Sequence, residues 1–468
     1  MLTLVPLLGT MGLVVGLAIA VANGSEHVSA IFVALVGALV VAMVARLVTT
    51  KDDRLWLPTL IMAGYTAKLI GSWVRWWVLV DYYGGSGDAI GYHGKAITNL
   101  VHMWRSFDVP PMDIGTTAME GITGLLYVPY VPNLLGGFLL FGTLAFFGQI
   151  LAYMAFRTSV QPRRLKLYAI AVFFVPTMVY WPSSIGKDAV MLLGIGAACY
   201  GISKLLNTGA INSLVITGLG PFLAGLIRPH ISAMLAVAAT VALLLAKGGG
   251  VAAFPARRIL LLGFVGTGVA TLLFISAANF NIELGEGLEG DVDEFVGTLE
   301  SNTSKGGSSV SGGFITSPLQ FPDATLRVLF RPFPNEAHNA PALASSVEGA
   351  LMLLLTVWKL PAMIKRSLRI RRDPYILFSL VYTVEFIVAF SAFLNLGLMA
   401  RERSQVIPAF LALIVALGFG PPKVAPGEEG SDEAQDRLQP LLAGLPVIGP
   451  VAERPPEGNG HPSIPAPS

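Results

Sequence analysis

Charge is scarce in this chain. Of its 468 residues, 31 are Lys or Arg and 29 are Asp or Glu, so only 13% are charged. A soluble globular domain carries roughly 25%. So small a supply does not cover a water-facing surface, which excludes a soluble enzyme. A hydrophobic share of 54% and a mean hydropathy of +0.67 exclude a disordered chain. A nucleic-acid binder needs a dense basic stripe, and none is present. Cysteine is scarcer still. Cys199 stands alone, which excludes a disulfide framework and a cysteine-based metal site. The net charge of +2 names no partner. The class that remains is an all-α, polytopic integral membrane protein.

Long apolar runs, by contrast, are plentiful. A bilayer core about 30 Å thick needs roughly 20 apolar residues per helix. By that measure there are twelve candidate spans, at about 2–22, 28–46, 56–80, 133–156, 166–183, 189–206, 212–228, 231–247, 258–279, 347–364, 375–400 and 405–420. Several are rich in Gly and Ala, as in GLAIAVANG and LGIGAACYG, a composition that lets helices approach closely in lipid. The fifth to eighth are short and interrupted by Pro and Lys. The first lacks a basic leading region and a clean cleavage site, and reads as a retained helix.

The cations orient these spans. With a cytoplasmic N-terminus, the inner connections hold 18 of the 31, from Arg46, Lys51 and Arg54 to Lys423, and Arg437 and Arg454 follow in the tail. The outer face holds nine: Lys95, Arg105, Lys187, Arg228, Lys305, Arg327, Arg331, Arg401 and Arg403. Lys68 and Arg75 fall inside the third span. The asymmetry predicts both termini in the cytoplasm.

Two outer loops are long, at about 81–132 and 280–346. The first holds apolar turns (GITGLLYVPYVP) consistent with a segment that dips back to the membrane. The second starts acidic and passes into SNTSKGGSSVSGG, read as a flexible loop rather than a metal site. It lacks the spacing of a calcium loop. The transmembrane unit therefore covers 1–420, and the Pro-, Gly- and Glu-rich 421–468 reads as a disordered cytoplasmic tail.

The remaining charges gather at outer helix ends. Asp88 lies in YYGGSGDAIGYHGKA with Tyr92 and His93, Lys187 and Asp188 lie in WPSSIGKDAV, and Arg228 and His230 lie in LIRPHIS. Arg331, Glu336 and His338 lie in LFRPFPNEAHNAP, and Arg401, Glu402 and Arg403 lie in MARERSQVIP. Singly, each has a structural reading. An Arg or Lys at a helix end snorkels to the headgroups. Asp88 caps a turn in a Gly-rich loop. Lys68 and Arg75 pair inside the bundle with Glu385. His93, His102, His230 and His338 lack the i, i+4 spacing of a helical zinc pair.

Jointly they say more. Turns such as IRPH and FRPF restrict the backbone and hold an Arg in place. Several fixed Arg groups with one or two carboxylates on one membrane face suit an anionic head group, because Arg forks grip phosphate oxygens bidentately. The matching chemistry is displacement of a lipid phosphate or pyrophosphate by a hydroxyl. A carboxylate accepts the attacking proton and cations stabilise the departing oxygen.

These residues carry a resemblance. The chain is similar to the multi-pass glycosyltransferases of the GT-C type that use lipid-linked sugars, and among them to the Wzy/EpsG-like polysaccharide polymerases. GDAIGYH in the first large outer loop resembles the segment bearing the GT-C acidic base. The Arg residues of LIRPHIS and ARERSQVIPAF look like the paired loop arginines of the polymerases. RERxQxxP resembles their R-x-R/Q-x-x-P segment. The resemblance implies an inverting transfer from a polyprenyl-phosphate- or diphosphate-linked donor to a glycan acceptor, outside the cytoplasm, in envelope or exopolysaccharide assembly with other assembly proteins as partners. Asp88 would be the base. Arg228, Arg401 and Arg403 would hold the phosphate, supported by Lys187 and Arg331, with His230, His338 and Tyr92 at the sugar. It implies no cofactor; a divalent metal is compatible but not required.

Other readings stay open. A flippase or transporter for lipid-linked saccharides also needs cations, though along a path through the mid-membrane. A membrane-bound acyltransferase would use His338 with Asn339, and a non-catalytic assembly partner needs no site at all.

Overall fold

A computed structural model describes residues 28–106, 109–130, 132–159, 164–209, 213–247, 266, 313–337 and 339–420. The expected spans at 2–22 and 258–279, most of the acidic and Ser/Gly loop, His338 and the tail lie outside them. Every described element is helical. In chain order these are α1 (Val28–Val48), α2 (Leu57–Trp77, continued by a π-helical turn at Val78–Tyr82), α3 (Asp88–Ser106), α4 (Thr116–Tyr127), α5 (Leu134–Ser159), α6 (Leu165–Phe174), α7 (Pro176–Tyr180) and α8 (Lys187–Thr208). After them come α9 (Leu214–Ile227), α10 (Pro229–Leu245), α11 (Phe321–Phe330), α12 (Ala340–Ser367), α13 (Pro374–Phe390), α14 (Leu396–Glu402) and α15 (Ile407–Leu413, continued by a π-helical turn to Phe419).

Four of these, α1, α5, α8 and α12, are long and apolar enough to cross a membrane. A fifth span is made if Leu396–Gln405 and Ile407–Phe419, bent by 68°, count as one. These long apolar helices fit a membrane protein. So does their exposed surface: α1 buries Ala30, Val33, Ala34, Ala38, Val41 and Ala45 but exposes Phe32, Val36, Leu39, Met43 and Leu47. Water penalises such a row, and lipid does not.

Several boundaries differ from the sequence reading. Residues 166–183 form two helices, because Pro176 has no N–H to continue α6 and the chain turns at Val175. The helix expected over 375–400 stops at Phe390, and Asn395 caps a new one by accepting from Leu398 N–H at 3.0 Å. The loops at 81–132 and 280–346 are partly helical, holding α3 with α4 and α11. Asp88 therefore opens a helix.

α5 and α8 form the centre and run parallel. Gly148 faces Gly196, and Ser203 Oγ donates to Ala155 O at 2.7 Å. α9 returns antiparallel along α8, with Gly220 against Ala198. Since lipid supplies no hydrophobic drive to join helices, close backbone approach and buried hydrogen bonds do that work. α13 adds a ladder of rings, Tyr375, Phe378, Tyr382, Phe386 and Phe390, with successive centroids 4.1–6.4 Å apart.

At one end of the bundle, arginines bind helix-terminal carbonyls. Arg157 donates to Val48 O and pairs with Asp53 at 3.2 Å. Arg164 donates to Gly420 O, Arg366 to Leu417 O and Arg371 to Leu245 O. Cations are favourable at helix C-termini, where the macrodipole is negative. The remaining charged cluster lies at the opposite ends of α5, α8 and α10.

Candidate functional site

The site is assembled where α8 begins. Gly186 precedes the helix, so Lys187 and Asp188 occupy its first turn. Asp188 is 3% exposed. Arg401, at the end of α14, donates from Nε to Asp188 Oδ2 at 2.5 Å. Arg228 approaches Asp188 Oδ1 to 3.9 Å and forms a second ion pair with Glu402. Glu402 also accepts from Gln405 Nε2. Arg228 sits between α9 and α10, in extended backbone fixed by Pro229, with its carbonyl accepting from Ile231 N–H at 3.1 Å. Three segments distant in sequence, the start of α8, the α9–α10 turn and residues 401–405, thus meet at two buried carboxylates.

Around this core lie two polar clefts and an apolar groove. The first cleft, about 320 Å³, is lined by Arg75, Tyr83, Ser86, Asp88, Ser184 and Arg401. The second, about 500 Å³, runs between α3 and α4 and is lined by Asp88, Tyr92, Lys95, Thr98, Thr116 and Glu120. Asp88, exposed, belongs to both. Lys187 donates to Thr116 Oγ1 at 3.2 Å and lies within electrostatic reach of Asp88, Asp188, Arg228 and Arg401. Tyr92 is buried. Burial first, and then the negative charge of Asp88, push its phenol above the ordinary value, against the opposing hydrogen bond with Thr116.

The groove, about 580 Å³, is lined mainly by apolar side chains, among them Ile70, Val74, Trp77, Phe174, Tyr180 and Trp181. At its edge the buried Glu348 accepts from Thr177 N–H at 2.6 Å, and its other oxygen has no hydrogen-bond partner. Arg75 joins this groove to the first cleft. Its guanidinium lies 5.0 Å from the Tyr180 ring centroid and 4.8 Å from that of Trp181, and it donates to Tyr180 Oη at 3.3 Å.

Of the residues expected from sequence, Asp88, Tyr92, Lys187, Arg228 and Arg401 come together. Others do not. Arg403 is fully buried, donating to Leu329 O at 2.7 Å, and its charge is felt by Glu348 rather than by Asp188. Arg331 is held by Glu336. Burial raises the Glu336 carboxyl, yet the bonds from Arg331 and Phe333 N–H outweigh it and hold the group below the usual carboxylate range. His230 packs at the Phe390 ring, with centroids 6.3 Å apart. The expected pairing of Lys68 and Arg75 with Glu385 is not formed: Lys68 donates to Met178 O at 2.6 Å, and Arg75 is engaged as above. The sequence reading did not assign Arg75, Asp188 or Glu402 to the site. Their shared signal was a charged group in or beside an apolar helix. Among the described residues no group of three or more His, Cys, Asp or Glu side chains is placed to hold a metal ion.

The arrangement sets four cations, Arg75, Lys187, Arg228 and Arg401, against three carboxylates, Asp88, Asp188 and Glu402. It can receive an anionic group and offers one solvent-accessible carboxylate beside it. Comparison with protein-family models, curated proteins and solved structures finds no match for this chain.

Proposed function

We propose that this protein is a multi-pass membrane glycosyltransferase or polysaccharide polymerase. On this reading it takes a polyprenyl-phosphate- or diphosphate-linked sugar and acts at the extracytoplasmic face. The distribution of cations supports about twelve spans with both termini in the cytoplasm. One observation carries the chemical reading: Arg75, which lines the cationic cleft, packs on Tyr180 and Trp181, which line the apolar groove. An amphiphile with a long apolar chain and an anionic head matches that junction, the chain against Ile70, Val74 and Trp77 and the head between Arg75 and Arg401.

Asp88 is the base. The acceptor hydroxyl attacks the anomeric carbon, the carbon–oxygen bond to phosphate breaks with its electrons passing to the phosphate oxygen, and the hydroxyl proton goes to Asp88. Charge grows on the departing phosphate, where Arg75 and Arg401 contribute most in a site partly shielded from water. Asp188 and Glu402 touch no substrate; they fix Arg401 and Arg228. Partners are the lipid-linked donor, the glycan acceptor and other assembly proteins.

The test is to incubate the purified protein with a polyprenyl-diphosphate-linked oligosaccharide and resolve products by size. Chain extension is expected, and Asp88→Asn abolishes it while the variant still inserts and folds. Near-full activity of Asp88→Asn would refute the role of the base. Movement of the intact lipid-linked saccharide across a vesicle membrane, with no new glycosidic bond, would instead favour a flippase.

A further inference from the structure

The second cleft differs in chemistry from the first. Its α3 wall is a helical stripe, Asp88, Gly91, Lys95 and Thr98, at the 3–4–3 spacing that puts residues on one face. Beside the stripe, Ala89, Tyr92 and Ala96 are buried against the protein, and Tyr92 reaches the edge of the cleft. Two residues of this helix, Gly91 and Gly94, would meet nothing within 4 Å if given a Cβ. A helix-interior glycine costs about 1 kcal/mol relative to alanine, and no neighbouring atom requires either one. What they do is leave the cleft floor bare, with Gly94 also lining it.

The walls mix donors and acceptors. Glu120 and Asp88 accept, Lys95 donates, and Thr98 and Thr116 do both. No arginine lines this cleft, whereas Arg75 and Arg401 both line the first. The cleft is also held open by fixed walls. His93 Nδ1 is hydrogen-bonded to Tyr127 Oη at 2.7 Å, locking α3 to α4. Gly115 N–H donates to Leu226 O at 2.8 Å and Lys187 to Thr116, which tie the start of α4 to the ion-pair core.

We infer that the cleft between α3 and α4 is the acceptor subsite, binding a neutral carbohydrate through its hydroxyl groups and presenting one of them to Asp88. This rests on the transferase reading and adds to it a division of labour: phosphate in the arginine-lined cleft, acceptor sugar in the mixed one, and the base on their common edge. The attacking hydroxyl loses its proton to Asp88 as its oxygen bonds to the anomeric carbon of the donor held on the other side.

The test uses the full-length protein in detergent carrying Gly94→Cys. The native Cys199 is fully buried, so a bulky maleimide reacts at the introduced thiol. Farnesyl-phosphate-linked hexoses and pentoses serve as donors and octyl glycosides of the same sugars as acceptors. Each sample is assayed before and after modification. We expect transfer to fall at least tenfold while slow donor hydrolysis, with water as acceptor, and the donor KM persist. Thr98→Val, which keeps the side-chain volume, raises the acceptor KM and leaves the donor KM unchanged. Unaltered transfer after complete modification would overturn the inference. So would equal loss of transfer and hydrolysis, which would put the donor in this cleft. Absence of both transfer and hydrolysis in the unmodified wild-type protein would overturn the transferase reading itself, and the subsite with it.

Discussion

Arg401 and Asp188, 213 positions apart, are joined by a hydrogen bond of 2.5 Å from guanidinium Nε to carboxylate Oδ2, and this contact pins α14 to the first turn of α8. Asp188 has been taken out of water, 3% exposed, while Arg401 is partly buried at the edge of the first cleft. Removing one partner leaves the other charge unanswered. Such a loss typically costs about 3–5 kcal/mol. Asp188→Asn should therefore lower the unfolding temperature in detergent clearly, and lower transfer because Arg401 loses its orientation. Adding Arg401→Gln to that variant removes the stranded charge and should recover part of the stability. A double-mutant cycle followed by thermal unfolding checks this; strict additivity of the two losses would deny the coupling.

Arg75 is the second test of the same geometry. Lysine keeps its charge but gives up the flat face against Tyr180 and Trp181 and the bond to Tyr180 Oη. A cation–π contact is worth about 0.5–2 kcal/mol, so Arg75→Lys should raise the donor KM by roughly threefold to tenfold with a smaller change in kcat. Trp181→Ala should move the same parameter in the same direction. Steady-state kinetics with a farnesyl-phosphate-linked sugar measure both, and a change confined to kcat would contradict a binding role.

The sequence made some of this legible and hid the rest for identifiable reasons. Scarce charge and the Gly/Ala-rich runs pointed to a helical membrane protein, and LGIGAACYG does lie at the close α5–α8 and α8–α9 contacts. Arg401 and Arg403 looked like one pair. Residues two apart on a helix diverge by about 200°, so one faces the cleft while the other is buried beneath it. That signal was available once the segment was read as helical. Lys187 and Asp188 differ by about 100° on the same turn, and only the phase of α8 reveals that the acid turns inward. Arg75 could not be placed, since its partners Tyr180 and Trp181 follow the break at Pro176, where the sequence suggested one continuous span. The arginines that the sequence assigned to setting orientation hold helix ends together, as Arg164 does at Gly420.

The pH response of the α3–α4 pair follows from His93. Burial lowers the pKa of this imidazole from its usual value of about 6.5. The folded protein then binds a proton less readily than the unfolded chain, so the contribution of His93 is present above pH 6.5 and is lost as pH falls through the folded value. Thermal unfolding temperature should decline on acidification through that window. His93→Gln, which retains a hydrogen-bonding group for Tyr127 without the titration, should flatten that part of the curve. An unchanged acid limb in the variant would remove His93 from the account.

Gly196 offers a test of the scaffold that leaves the site residues untouched. α5 and α8 approach so closely that a Cβ on Gly196 would run into the carbonyl of Gly148, a backbone atom that cannot rotate away. The helices must separate or shift, and both carry the site: α8 begins with Lys187 and Asp188, and α5 contributes Phe138 to the arginine-lined cleft. Overpacking typically costs about 1–3 kcal/mol. Gly196→Ala should lower the unfolding temperature, and Gly196→Leu should lower it further and reduce transfer although residue 196 lies over two helical turns from Asp188. Gly218, whose Cβ would meet nothing within 4 Å, is the matched control. Gly218→Ala should leave both stability and transfer near the wild-type level or slightly above it, since alanine favours a helix; a loss of equal size at the two positions would contradict the glycine-to-glycine contact as the cause.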